Sequence, residues 1–270
     1  MSLSPPAADR LAGLVLATLV LGSPPVPAAT PEERGLEIAR RSDATDRGFG
    51  DSVVTLEMVL RNQAGREARR SLTVHTLEVA EEGLGDRSLV LFESPPDVEG
   101  TGLLSHARIL EPDDQWLYLP AVRRVKRISS VNRSGPFVGS EFAFEDFTAH
   151  ELGKFSYRHL REERCGDLLC DVIERTPRYE HSGYSRQEAW IDRTDRQVRR
   201  VEFFDRRDAL LKTLILSDYR RYPEGFWRAH RLSMQNHRSG KSTELLYSDY
   251  RFGRGLTEAD FSRAALERLR

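Results

Sequence analysis

The sequence is poor in the residues and motifs that mark catalytic and metal-binding proteins. Of its 270 residues only two are cysteine and four are lysine, and its seven histidines show no His-Glu-x-x-His spacing. It contains no Gly-x-Ser-x-Gly elbow, no P-loop and no dinucleotide-binding glycine pattern. We therefore expect a protein that is not an enzyme and that uses no cofactor and no metal.

A strong excess of charge of either sign is also missing. The chain has 41 Lys and Arg against 42 Asp and Glu, so no overall field attracts nucleic acid, and we expect no such partner. Two pairs of adjacent carboxylates occur, Asp113-Asp114 and Glu145-Asp146. Neighbouring acids in a loop usually face water, and we expect these pairs to be solvated rather than catalytic.

The N-terminus carries the pattern of an export signal. Arg10 precedes an apolar run from Leu11 to Gly22, and Val26-Pro27-Ala28 fits a cleavage site of small residues. The run is shorter than a typical membrane span, which needs roughly 20 residues, and an uncleaved anchor is the alternative. The sequence predicts a signal peptide over residues 1–28, a mature domain over residues 29–270 and a periplasmic location.

The two cysteines, Cys165 and Cys170, lie close together in the sequence. An exported chain reaches a compartment in which disulfides persist, so we expect these residues to form a local disulfide. A redox pair is the alternative, although the spacing is not Cys-x-x-Cys.

The exported part is dominated by strand patterns. Alternating apolar residues over 53–60 and 70–76 flank a turn and predict a hairpin, and similar runs continue to residue 129 and from 155 to 252. Helical patterns are confined to 31–41, about 137–150 and 257–268, the first opening with Thr30 and Pro31. This supply of helix favours one strongly curved antiparallel sheet with a helical cover over a two-sheet sandwich.

Two segments have a composition that suggests a role beyond the sheet. The irregular stretch 132–151 holds four phenylalanines, Phe137, Phe142, Phe144 and Phe147, which either fill the core or form a mobile flap over an apolar cavity. The basic run holds Arg123, Arg124, Lys126 and Arg127, and is either a solvated strand or a docking patch for a membrane partner or an anionic headgroup.

Several blocks of the sequence, in order, resemble the outer membrane lipoprotein-sorting protein family, the LolA-like periplasmic carriers. They are Gly100-Thr-Gly-Leu-Leu104, Trp116-Leu-Tyr-Leu-Pro-Ala121, Phe137-Val-Gly-Ser-Glu-Phe-Ala-Phe-Glu-Asp-Phe147 and Glu188-Ala-Trp-Ile-Asp192. The resemblance covers nearly all of the mature chain. It implies a mainly β fold, an incomplete β-barrel formed by a strongly curved antiparallel sheet, with helices covering the concave face.

In function, the resemblance implies a carrier that binds lipid or lipoprotein acyl chains in an apolar cavity and moves them between the envelope membranes, with transient membrane contact. An inner-membrane exporter of the resistance-nodulation-division (RND) type is the implied partner. We expect the four phenylalanines and the first helix to form the lid of the cavity. The expected wall residues are Leu56, Met58, Leu72, Val74, Trp116 and Tyr118.

Two other functions fit the same pattern. The protein could detect lipid and report it to a partner, or it could be an accessory subunit of an exporter that holds little lipid. The sequence alone does not identify the cargo or the direction of transfer.

Overall fold

The computed structural model describes residues 1–2 and 29–268, so residues 3–28 of the predicted signal peptide lie outside the described residues. One antiparallel sheet of 13 strands dominates this part of the chain. The strands are β1 Asp51–Arg61, β2 Glu67–Leu77, β3 Leu84–Ser94, β4 Gly102–Arg108, β5 Asp114–Leu119, β6 Arg124–Ile128, β7 Phe155–Cys165, β8 Leu168–Pro177, β9 Tyr184–Asp192, β10 Val198–Asp205, β11 Leu210–Arg221, β12 Trp227–Asn236 and β13 Ser242–Phe252. The predicted single curved sheet is confirmed.

The order of the strands across the sheet explains how the chain encloses a space. The order is β6-β5-β4-β3-β2-β1-β13-β12-β11-β10-β9-β8-β7, so two meanders join where β1 pairs with β13. The edge strands are β6 and β7, and the sheet is not closed between them. Residues 129–154, here called the inner segment, connect these two edges and pack against one face of the sheet. We call that the inner face.

Helix α1, Pro31–Asp43, begins where the sequence predicts. The Thr30 hydroxyl accepts a hydrogen bond from the Glu33 amide at 3.2 Å, and the Glu33 carboxylate accepts one from the Thr30 amide at 2.9 Å, which completes a capping box. The helix lies on β7, and a Cβ added at Gly35 would be 2.7 Å from backbone atoms of Arg158 and His159. The glycine is therefore what allows the helix to approach the strand so closely.

The inner face carries the main core. Residues on the same face of paired strands lie opposite each other: Leu56 is opposite Leu72, and Val90 is opposite Leu103. These side chains are buried together with those of the inner segment. The inward assignment of Leu56, Met58, Leu72 and Val74 therefore agrees with the structure.

The inward assignment of Trp116 and Tyr118 is wrong. On β5, Leu117 faces the main core, whereas Trp116 and Tyr118 face the opposite, outer side of the sheet. There they join Phe261 and Leu266, from the C-terminal 3₁₀ turn Glu258–Phe261 and helix α2, Arg263–Glu267. The C-terminal segment thus covers the part of the outer face around β4 and β5, and its apolar contacts bury the side of β5 that we expected to line a cavity.

The predicted disulfide between Cys165 and Cys170 is confirmed. It links β7 to β8 across their hairpin, with Cα atoms 6.0 Å apart. Cys170 packs with Val172 and Trp190 in a separate buried cluster. The bond therefore fixes the strand pair at the free edge of the sheet.

Candidate functional site

The four phenylalanines of the inner segment fill space under the sheet. Phe137 is fully buried, with its ring centroid 4.3 Å from that of Phe147 and 5.6 Å from that of Phe92 on β3. Phe142 is 4% exposed, and Phe144 packs against the same core. In this structure the four rings fill the core, and their role as a mobile lid stays a prediction.

Carboxylates of the inner segment hold it against the sheet. Asp146 accepts hydrogen bonds from Lys212 Nζ on β11 at 2.7 Å and from the Tyr184 hydroxyl on β9 at 2.9 Å. Lys212 is only 3% exposed, so this ion pair is buried. Burial and the Asp146 charge raise the pKa of the Tyr184 hydroxyl well above its usual range.

Glu145, beside Asp146, is a second anchor. Its carboxylate accepts hydrogen bonds from the Gly183 amide at 2.9 Å and the Ser182 hydroxyl at 3.0 Å. Burial, and after it the Asp146 charge, raises the pKa of Glu145. The expectation that this acid pair is solvated is wrong, because the backbone and hydroxyl donors of the β8–β9 loop provide a buried site for it.

The expectation of a solvated pair is also wrong for Asp113, in the pair Asp113-Asp114. Its carboxylate accepts hydrogen bonds from Arg133 Nη1 of the inner segment at 2.8 Å and from Lys154 Nζ, next to β7, at 2.7 Å. All three side chains are at most 4% exposed. Asp114, in contrast, forms ion pairs nearer the surface with Arg108 and Arg127. One buried acid, next to β5, thus holds two residues of the inner segment, Arg133 near its beginning and Lys154 at its end.

A cavity of about 430 Å³ remains beside the inner segment. It lies between α1, the end of the inner segment and the inner face of β8 to β13, and it falls within the size range of small-molecule sites. Much of its wall is apolar. The apolar and aromatic residues of the sheet that line it are Ile173, Val201, Phe203, Leu214, Leu216, Leu232, Met234, Tyr247 and Tyr250.

The predicted wall residues are not part of this lining. Leu56, Met58 and Leu72 are at most 2% exposed, because the inner segment covers β1 to β3. Among the predicted lid residues, Phe142 lines the cavity, and α1 contributes Ala39. The open part of the inner face belongs to the C-terminal meander, whose alternating strands the sequence analysis identified without assigning them to the wall.

One side of the cavity is polar and was not predicted. Arg175 on β8 donates a hydrogen bond from Nη1 to His150 Nε2 at 2.7 Å, and the His150 ring stacks on Phe155 with centroids 4.7 Å apart. Burial lowers the pKa of Arg175 to about 10. Burial and then the Arg175 charge hold the pKa of His150 well below its usual range, so this imidazole is neutral.

The basic run forms the exposed edge of the sheet. Arg123, Arg124, Lys126 and Arg127 all lie at the surface, on or next to β6, and Arg127 pairs with Asp114 at 2.5 Å. Charged side chains on a short edge strand discourage pairing with other chains. The docking role of these residues stays a prediction.

No helix within residues 29–268 is both long and apolar enough to span a membrane. The same part of the chain has no group of three or more His, Cys, Asp and Glu side chains arranged to hold a metal ion.

The open 13-stranded sheet, its filled inner face and its residual apolar cavity define the fold class, and comparisons with known proteins identify the family. A putative outer membrane lipoprotein-sorting protein domain from Vibrio parahaemolyticus is 48% identical, with a TM-score of 0.84 over 88% of this chain and 100% of that one. A DUF1329 family protein from Desulfovibrio piger is 29% identical, with a TM-score of 0.83 over the same shares. The chain belongs to the outer membrane lipoprotein-sorting protein family.

A LolA superfamily protein from Nitrosomonas europaea is 22% identical, with a TM-score of 0.70 over 88% of this chain and 100% of that one, and it shares the fold. A family model described as "Uncharacterized protein" matches residues 85–268. No curated protein matches the chain.

Proposed function

We propose that this protein is a non-catalytic periplasmic carrier that binds lipid or lipoprotein acyl chains and moves them between the envelope membranes. The observation that carries the proposal is the 430 Å³ cavity, whose sheet wall is built from inward-facing apolar residues of β8 to β13. The kinship with a lipoprotein-sorting domain supports the same function. An RND-type exporter in the inner membrane is the proposed partner, with Arg123, Arg124, Lys126 and Arg127 as its docking patch.

The physical reason for such a cavity is the cost of exposing an acyl chain to water. Each methylene buried is worth roughly 0.8 kcal/mol, so a carrier must cover most of the chain during transfer. It must also release it, which requires a cover that can separate from the wall. Here α1 and the end of the inner segment form that cover, and the inner segment is held by the ion pair of Asp146 with Lys212.

Ligand binding without transfer is the second function that the cavity supports. The protein would then sense lipid, or act as an accessory subunit of an exporter. Transfer between donor and acceptor membranes separates these functions, because a sensor holds its ligand without delivering it to the acceptor.

The test is native mass spectrometry with lipid extraction on protein purified from the periplasm of its own host. We expect lipid or an acylated protein to co-purify. Leu216→Trp should narrow the cavity and reduce the amount of bound ligand, since Leu216 lies in the lining. Ile215→Trp is the matched control, because Ile215 is the adjacent residue on β11 and is 42% exposed on the outer side.

The proposal fails if the wild-type protein is reproducibly empty and remains empty when it is offered lipid. Equal ligand loading of the Leu216→Trp and Ile215→Trp variants, with both folded by circular dichroism, would place the ligand outside this cavity.

A further inference from the structure

Arg175 is unusual among the buried arginines of this protein. Four arginines within residues 29–268 have a buried Nε atom without a hydrogen-bond partner: Arg133, Arg175, Arg199 and Arg200. Three of them pair with carboxylates, Arg133 with Asp113, Arg199 with Asp192 and Arg200 with Glu202. Arg175 pairs with no carboxylate in the described part of the chain, although it is only 7% exposed.

The surroundings of Arg175 leave its charge uncompensated. The one hydrogen bond of its side chain to another described residue goes to His150, which is neutral. Its guanidinium carbon lies 5.9 Å from the centroid of the Phe155 ring, and the residue faces the apolar cavity. A buried guanidinium without an anion is costly, and proteins normally supply one.

The carboxylates around the cavity cannot serve as that anion, because each has donors of its own. Asp43 pairs with Arg47 at 3.3 Å, and Asp46 pairs with Arg228. Asp146 pairs with Lys212, and Glu145 is held by amide and hydroxyl donors. The other cations of the lining, Lys154 and Arg228, have carboxylate partners as well.

We propose that the cavity takes an amphiphile with an anionic head, a carboxylate or a phosphate, which pairs with the guanidinium of Arg175 while its acyl chain lies along the apolar wall. This inference rests on the proposed function and specifies the chemical class of its ligand. The planar fork of arginine fits a carboxylate or phosphate through two hydrogen bonds. Within the described residues the Nε of Arg175 has no hydrogen-bond partner. An uncharged acyl chain offers this group no counter-charge.

The experiment measures dissociation constants for matched ligands with delipidated protein, by native mass spectrometry titration. Palmitate is compared with hexadecanol, and phosphatidic acid with diacylglycerol of the same chains. We expect each acid to bind about tenfold more tightly than its uncharged counterpart, or better, as charge-assisted hydrogen bonds provide. A preference seen for palmitate alone assigns the site to fatty acids, and one for phosphatidic acid alone assigns it to phospholipids.

Variants locate the preference. Arg175→Met should bind the uncharged ligands as the wild type does and lose the preference for the acids. Arg231→Met is the matched control, because Arg231 on β12 is 54% exposed, and this variant should keep the preference. Uncharged and acidic ligands binding equally to the wild type would overturn the inference and leave the carrier function standing. Failure of all four ligands to bind would overturn both.

Discussion

The buried acid Asp113 makes the most informative test of how the inner segment is held. Replacing it with asparagine keeps its shape and removes the charge that Arg133 and Lys154 share at 2.8 and 2.7 Å. Two cations at most 4% exposed would then face each other without an anion. Breaking a buried ion pair by removing one partner costs about 3–5 kcal/mol, and we expect Asp113→Asn to lower the free energy of unfolding by about this amount or more.

The neighbouring residue provides the control. Asp114→Asn makes the same chemical change one position along the chain, but its partners Arg108 and Arg127 are 34% and 68% exposed. Ion pairs of this kind contribute about 0–1 kcal/mol. Urea unfolding followed by tryptophan fluorescence measures both variants. If the two substitutions cost the same, the buried cluster does not hold the inner segment in the way we infer.

Two further predictions concern α1 and pH. Gly35→Ala should destabilise the protein by about 1–3 kcal/mol, because the added Cβ meets the backbone of β7 at 2.7 Å, although alanine is the better helix former by roughly 1 kcal/mol. Urea unfolding measures the change, and the exposed substitution Arg41→Ala on the same helix should alter stability little. A Gly35→Ala variant that is more stable than the wild type would contradict the close packing. Burial, followed by the Glu151 charge, raises the pKa of Asp86 from 3.8 to about 7. Between these pH values the folded protein holds a proton that the unfolded chain has released, so the contribution of Asp86 to stability falls as the pH rises. Urea unfolding measured across this pH range should show the stability of Asp86→Asn, relative to the wild type, rising up to about pH 7 and staying constant above it. A stability difference that does not change with pH would refute this assignment.

The strands could be predicted because alternation along the chain is a local property. The same rule failed at β5, where Trp116 and Tyr118 alternate with Leu117 and Leu119. The C-terminal segment covers one side of this strand and the main core the other, so both sides are apolar and alternation cannot distinguish them. A shift of one residue therefore exchanged the faces.

The polar part of the site could not be predicted for a different reason. Arg175 is one of many arginines in strand patterns, and nothing in its neighbours shows that no carboxylate reaches it. Likewise, Asp113 and Asp114 look alike in the sequence. They differ in the folded chain, where Asp113 is buried in contact with Arg133 and Lys154. Such properties depend on residues that are distant in sequence and meet only in the folded chain.

The seam between β1 and β13 also has a consequence for how the protein forms. Each meander is built from neighbouring hairpins, which form from local contacts, whereas the seam pairs Leu60 with Thr243. The centre of the sheet therefore has to wait until nearly the whole chain is present, and until then β1 and β13 are both free edges.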